Sequence, residues 1–215
     1  MIKKMVNNKI LNGRPMESVT AAAFIIALSG FASRFLGLFR DRVLASQFGA
    51  GDTLDAYYAA FRIPDLLYNL LILGALSAAF IPVFTGLISN KKEDEGWELV
   101  SGMLNIVIFI LIISAAVMAI FAPFIIRLIT PGFSGEKMEL TVALTRIMFL
   151  SPIFLGISAI FGGVLVSFKK FLIYSIAPIM YNFGIIIGAL FFVKFMGPKG
   201  LALGAGRAED GALPE

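Results

Sequence analysis

The sequence contains no cysteine and no histidine among its 215 residues. The chain therefore has no disulfide, no thiol or imidazole nucleophile and no thiolate or imidazole metal ligand. A glycine-rich phosphate-binding loop of the P-loop type is also missing. Few residues are left for enzymatic chemistry, so we expect no enzyme, no bound cofactor or metal and no nucleic-acid partner, and we favour transport or binding.

Charged residues are scarce too, at 15% of the sequence, whereas 59% of the residues are hydrophobic. The mean hydropathy of +0.90 is far above that of a soluble globular domain. Long apolar runs separated by turns predict an all-α fold, a polytopic bundle of membrane helices. The net charge of +4 suits a bacterial inner-membrane protein with basic cytoplasmic loops and anionic lipids around it.

The sequence divides into three parts. Residues 1–17 form a basic tail rather than a signal peptide, because the apolar run that follows lacks a small-residue cleavage site. Residues 18–204 hold the predicted spans. Residues 205–215 are polar and cannot cross a bilayer, so we expect a foreign end on a truncated chain; a natural soluble tail is the alternative.

Apolar runs bounded by turns or charges predict five full spans and the start of a sixth. They are Ser18–Phe48; a segment after Asp52 that bends at Pro64 and runs to Asn90; Met103–Ile126; Glu139–Phe168, bent near Pro152; Phe171–Val193; and a stub at Leu201–Gly204. With a cytoplasmic N-terminus, basic loop residues number eight inside and four outside, which places the charged loop Lys91–Glu95 inside.

Three charges, Arg34, Arg40 and Asp41, lie within the stretch 33–41 of the first predicted span, and Arg42, which points away from their face, reads as an interfacial residue. A charge at bilayer depth costs at least ~2.5–3.5 kcal/mol, so these side chains should face a polar cleft. We expect Arg34, Arg40 and Arg62 to converge on that cleft. Arg34 should need the polar surroundings most, because it lies in the apolar part of the span. The alternative is that Arg34 only pairs with a neighbouring helix. The helix has a polar face opposite Phe31, Phe35 and Phe39, and that face holds Gly30, Arg34, Gly37 and Asp41.

A second polar stripe follows along the next predicted helix. Its residues recur at helical spacing within about 80° of one another. The stripe predicts a helix face that lines the same cleft. The alternative is a solvated helix end before the true span, which fits Asp55 better than Arg62. Its members are Asp55, Tyr58, Arg62, Asp65 and Asn69.

Two further polar residues, Arg146 and Asn182, lie inside later predicted spans and are weaker candidates for a binding site. Asn182 is followed by a Gly184-x-x-x-Gly188 pair, which is more typical of helix packing than of a functional site.

Several short motifs occur in order along residues 18–204. They are Ser33-Arg34-x-Leu36-Gly37-x-x-Arg40-Asp41, Phe48-Gly49-Ala50-Gly51, Asp55-Ala56-Tyr57, Arg62-Ile63-Pro64-Asp65-Leu66-Leu67, Gly74-Ala75-Leu76-Ser77-Ala78-Ala79-Phe80-Ile81-Pro82, Pro131-Gly132-Phe133, Thr145-Arg146-Ile147-Met148-Phe149 and Ala177-Pro178-x-x-Tyr181-Asn182. Together they resemble the lipid II flippases, the MurJ or MviN family.

The resemblance implies a protein of the multidrug, oligosaccharidyl-lipid and polysaccharide exporter superfamily with two six-helix lobes and two further helices. This chain would be the first lobe, and the missing C-terminal lobe would be its partner, so we expect no transport by the chain alone. The resemblance implies that undecaprenyl-diphosphate-linked peptidoglycan precursor crosses between leaflets by alternating access, among membrane lipids. The family's cavity residues match Arg34, Arg40, Asp55 and Arg62.

The residues themselves favour the same class of mechanism. Guanidinium groups in a wet cleft can replace the hydration of a diphosphate through charge-assisted, often bidentate bonds. Asp41, Asp65 and Asn69 would orient an arginine or bind a coupling ion. Two rival functions remain: an exporter of the same superfamily for another polyprenyl-linked glycan or a cationic drug, and a non-transporting membrane scaffold or channel subunit.

Overall fold

The computed structural model describes residues 18–49, 51–70 and 77–192. Within these ranges all regular structure is helical, which confirms the predicted all-α fold. Seven α-helices are described here: α1 (Val19–Phe48), α2 (Asp52–Tyr68), α3 (Ser77–Ser89), α4 (Glu93–Ile129), α5 (Gly135–Met148), α6 (Ser151–Ser167) and α7 (Phe171–Ile187), and a π-helical turn at Gly188–Phe192 follows α7.

Helix α1 forms as the sequence predicts. Its first turn is capped by Ser18, whose Oγ accepts a hydrogen bond from the Ala21 N–H at 3.3 Å. Its C-terminal end is closed by Gly49 at a φ of +64°, a conformation that glycine adopts without strain. The 30 residues of α1 extend over about 45 Å, more than the ~30 Å hydrocarbon layer.

The predicted loop at Lys91–Glu95 is largely helical instead. Helix α4 begins at Glu93, so Glu93, Asp94 and Glu95 form its first turn. Negative side chains are favourable there because the helix dipole is positive at its N-terminus. The preceding turn consists of Lys91, at a φ of +58°, and Lys92. The sequence prediction was therefore wrong about where this helix begins.

Among the described residues, four helical stretches are long and apolar enough to cross a membrane: Thr20–Phe48, Glu93–Ile129, Gly135–Ser167 and Phe171–Leu190. The predicted second span corresponds to α2 and α3. Residues 71–76, which connect them, lie outside the described residues, as do the tail 1–17, the stub at 201–204 and residues 205–215.

The predicted fourth span is interrupted rather than merely bent. Helix α5 starts at Gly135, earlier than predicted, and ends at Met148, and α6 starts at Ser151. Pro152 has no N–H to donate to the Met148 carbonyl, so the helical hydrogen-bond pattern cannot continue through this point. The chain turns at Phe149–Leu150 and resumes as a helix.

The helices pack in pairs that bring α1, α2 and α7 together. Helix α1 lies mainly against α7, α2 against α5, and both α3 and α4 against α6. At one end of the bundle, Phe84, Trp97 and Phe168 form an aromatic cluster with ring centroids 6.0–6.4 Å apart. This cluster places the Lys91–Lys92 and Lys169–Lys170 turns at the same end.

Candidate functional site

The polar stripe of α2 lines three adjoining cavities of about 410, 480 and 490 Å³. Its opposite side is buried through Ala56 and Ala60, so the polar face is left open. Each stripe residue lines at least one cavity, and Arg62 lines all three. The stripe runs from Asp55 to Asn69, about 21 Å along the helix.

The first of these, which we call the Arg40 cavity, lies between α1, α2 and α7. It combines two guanidinium groups and one carboxylate with aromatic and aliphatic walls. It is lined by Arg40, Leu44, Tyr57, Tyr58, Phe61, Arg62, Asp65, Tyr181 and Ile185. Such a mixture suits a ligand that has both an anionic and a less polar part.

The guanidinium of Arg40 is held on two sides. Its Nε and Nη2 donate to Asp41 Oδ1 at 2.9 and 2.8 Å, and its Nη1 donates to Asn182 Oδ1 at 3.1 Å. An arginine has five N–H donors, so two remain without a partner among the described residues. Asp41 thus has the geometry of a residue that orients an arginine.

Arg34 does not line the Arg40 cavity and is exposed. It precedes Arg40 by six residues, which turns its side chain roughly 120° away around the helix axis. The α1 face that contacts α7 contains Ser29, Ser33 and Arg40, so it is rotated from the predicted polar face. The position of Arg34 in a common cleft stays a prediction.

The second cavity is dominated by Lys137, one of the four basic loop residues predicted to lie outside. Lys137 Nζ lies 2.8 Å from Asp52 Oδ1 and 2.7 Å from Asp55 Oδ2, and 4.3 Å from the centroid of the Phe133 ring. Asp55 is therefore already paired with a cation of α5. The two pairs connect the start of α2 to the start of α5 across more than 80 residues of sequence.

Asp65 and Asn69 line the third cavity, together with Arg62 and two leucines. The Asn69 side-chain amide donates to the Asp65 backbone carbonyl at 2.8 Å, which leaves the Asp65 carboxylate available to the cavity. These residues thus lie beside Arg62, as the helical spacing indicated.

Arg146 contacts the neighbouring helix rather than any of these three cavities. Its Nε donates to the backbone carbonyl of Ala119 in α4 at 3.1 Å. Pro123 lies four residues after Ala119 in that helix and has no N–H, so this carbonyl lacks its normal helical donor. The apolar interior of a membrane has no water to donate to this carbonyl, so a neighbouring side chain must do so. The contact therefore favours a structural role for Arg146.

We expect Arg146→Met, which removes the donor but keeps an unbranched side chain, to lower the free energy of unfolding of the chain in mixed micelles by about 1 kcal/mol. In a Pro123→Ala background the same substitution should cost less than half as much free energy of unfolding, because the N–H of residue 123 would then donate to the Ala119 carbonyl. Arg42→Met is the matched control, since Arg42 is exposed and has no polar partner among the described residues. Equal losses with and without Pro123 would contradict this role.

Several cavity residues were not predicted as site residues from the sequence. Tyr181 precedes Asn182 in a noted motif and could have been found by its hydroxyl within an apolar span. Leu44, Phe61 and Ile185 give no such signal, because apolar residues in a membrane helix face lipid, core and cavity alike. Lys137 could be found only from its distant carboxylate partners.

Comparisons with known proteins agree on one family. The family model described as lipid II flippase MurJ matches residues 21–208. A probable lipid II flippase MurJ of Rickettsia prowazekii (strain Madrid E) is 36% identical over 179 residues, which cover 81% of this chain and 35% of that protein. The lipid II flippase MurJ of Burkholderia cenocepacia is 33% identical over 171 residues, covering 78% and 33%.

A solved structure gives the same result. Lipid II flippase MurJ in an inward closed conformation superimposes with a TM-score of 0.68 at 31% identity, covering 85% of this chain and 39% of that one. The chain spans about a third of the length of the curated relatives it matches.

Proposed function

Because this chain belongs to the lipid II flippase MurJ family, we propose that it forms the first lobe of a flippase for undecaprenyl-diphosphate-linked peptidoglycan precursor. The whole transporter would move this lipid from the inner to the outer leaflet by alternating access and so supply cell-wall synthesis. In this proposal, a second lobe of the same transporter faces the cavities along α2.

The observation that carries the proposal is that Arg40 and Arg62 line the same cavity. A diphosphate has several anionic oxygens, and two guanidinium groups can bind them with short, charge-assisted bonds. Arg40 is held in place by Asp41 and Asn182, whereas Arg62 has no hydrogen-bond or ion-pair partner among the described residues. The cavity therefore presents one fixed and one adaptable cation.

The same geometry argues against the two rival functions. A cationic drug would be repelled by two adjacent arginines, although Asp65 lies beside them. In a scaffold, intramembrane charges would be paired and covered, but Arg62 is exposed and lines three cavities. An anionic ligand fits the available donors better than either alternative.

The proposed topology places the protein in the bacterial inner membrane with a cytoplasmic N-terminus. Lys91–Lys92 and Lys169–Lys170 share one end of the bundle, next to the Trp97 ring, and Lys137 joins Asp52 near the end of α1. That arrangement supports the alternation of loops between the two sides. We assign the Lys–Lys end to the cytoplasm because basic loop residues favour that side.

We expect a full-length flippase in which residues 18–192 are those of this chain to sustain growth of cells depleted of their own flippase. Lipid-linked precursor should then become accessible at the outer leaflet. A control in which the same protein carries Arg40→Ala together with Arg62→Ala should insert normally and fail. If the unmodified protein accumulates in the membrane and transports another glycan lipid instead, the rival function of an exporter for another polyprenyl-linked glycan becomes the better account.

A further inference from the structure

The interface between α1 and α7 carries a row of polar contacts within two otherwise apolar helices. Ser29 Oγ donates to Ser175 Oγ at 3.1 Å near one end of the row. One to three turns further along α1, Ser33 and Arg40 both contact Asn182. Between them lies Gly37, where an added Cβ would come within 3.8 Å of Asn182 Oδ1. Asn182 is therefore the centre of this row.

The orientation of the Asn182 side chain is chemically determined. Its Oδ1 accepts from Arg40 Nη1 at 3.1 Å, and its Nδ2 lies 3.2 Å from the Ser33 carbonyl, 3.1 Å from Ser33 Oγ and 3.0 Å from the Pro178 carbonyl. A flipped amide would point its NH2 at a guanidinium, which has no acceptor, and its oxygen at two carbonyls. With 6% of the residue exposed, water cannot compensate for that arrangement.

Asp41 alone cannot fix Arg40 within the cavity. The two residues are sequence neighbours on one helix, and 24% of the Arg40 side chain and 46% of the Asp41 side chain are exposed. The pair can thus move together. Asn182 is the contact that ties the guanidinium to a second helix, and its neighbour Tyr181 lines the same cavity.

We propose that Asn182 is the positioning residue of the Arg40 cavity. Its amide oxygen holds Nη1 while Asp41 holds Nε and Nη2, so that the two remaining N–H donors of Arg40 are presented to a ligand phosphate. The identity of that ligand rests on the proposed function, whereas the positioning of Arg40 does not. Asn182 itself need not touch the ligand.

The positioning is tested by NMR on the chain in lipid nanodiscs with ¹⁵N-labelled arginine. In the unmodified protein, separate Nη1 and Nη2 resonances are expected for Arg40, because each nitrogen has its own acceptor and rotation is slow. Asn182→Ala should shift and broaden the Nη1 resonance, because Nη1 loses its acceptor, whereas Asp41 still holds Nε and Nη2. The matched control is Ser29→Ala, which removes a polar contact between the same two helices and should leave both Arg40 resonances unchanged.

A conservative variant separates positioning from helix pairing. Asn182→Asp retains an acceptor for Arg40 but sets its second oxygen against the Ser33 and Pro178 carbonyls, so the protein should be less stable while the two Nη resonances stay separate. If Asn182→Ala fails to fold, Asn182→Leu replaces it, because leucine fills a similar volume and offers no acceptor, and it should change the Nη1 resonance in the same way. Merged resonances in the unmodified chain or in Asn182→Asp, or unchanged resonances in a folded Asn182→Ala, would overturn the positioning role.

Titration with undecaprenyl diphosphate then connects positioning to binding. We expect Asn182→Ala to weaken binding about tenfold, but less than twofold when Arg40→Ala is already present, because residues that act through one contact are not additive. Equal tenfold losses in both backgrounds would contradict action through Arg40. If the unmodified chain binds no diphosphate lipid, ligand recognition by this lobe alone is contradicted, and the NMR result still decides the positioning.

Discussion

Arg62→Ala is expected to abolish growth support by a full-length flippase that carries this lobe. Arg62 lines all three cavities along α2 and has no protein partner among the described residues, so its charge is available to a ligand at each of them. Removing it deletes the one cation that the three cavities share. Arg62→Lys should retain part of the activity, because a flexible ammonium can still attract a phosphate.

The matched control is Arg42→Ala on α1. Arg42 is also an exposed arginine but lines none of the three cavities, so its loss should leave growth unchanged. Both variants should accumulate in the membrane to the same level. Normal growth with Arg62→Ala at normal protein levels would remove Arg62 from the proposed transport path.

Arg40→Lys is expected to lose most of the activity, in contrast to Arg62→Lys. Arg40 uses three N–H donors on Asp41 and Asn182 and has two left, whereas a lysine has three donors in total and no planar fork. Lysine would thus have to give up its anchors to bind a phosphate. Arg40→Ala should be at least as severe, and both proteins should still insert.

Growth equal to that of the unmodified protein with Arg40→Lys would show that charge alone is sufficient at this position. Arg34→Lys in the same assay decides the separate prediction that Arg34 shares the cleft, because Arg34 does not line the Arg40 cavity. A strong defect would place Arg34 on the substrate path in the complete transporter, and a mild one would favour helix pairing.

Local patterns were enough to predict much of this fold. The extent of α1 follows from an apolar run that begins after a serine cap and ends at a glycine, and the polar stripe of α2 follows from helical spacing. Both features depend on residues close together in sequence. The rotation of the α1 polar face by a fraction of a turn depends instead on α7, which packs against it.

The parts of the site that the sequence did not predict join distant residues. Arg40 and Asn182 are 142 positions apart, and Lys137 and Asp55 are 82 apart. The acidic start of α4 was read as a loop because charge indicates exposure but does not distinguish a loop from a first helical turn. Long-range pairs, and helix ends without a side-chain cap such as the start of α4, are settled by packing, which composition and periodicity do not encode.

The most direct measurement of the central claim is the equilibrium binding of undecaprenyl diphosphate to the nanodisc-embedded chain, with undecaprenyl monophosphate as competitor. Two arginines in one cavity predict that the diphosphate binds at least tenfold more tightly, and that Arg40→Ala with Arg62→Ala removes this preference while Arg42→Ala preserves it. Equal affinities for the two lipids, or a preference that survives loss of both arginines, would contradict diphosphate recognition by this cavity.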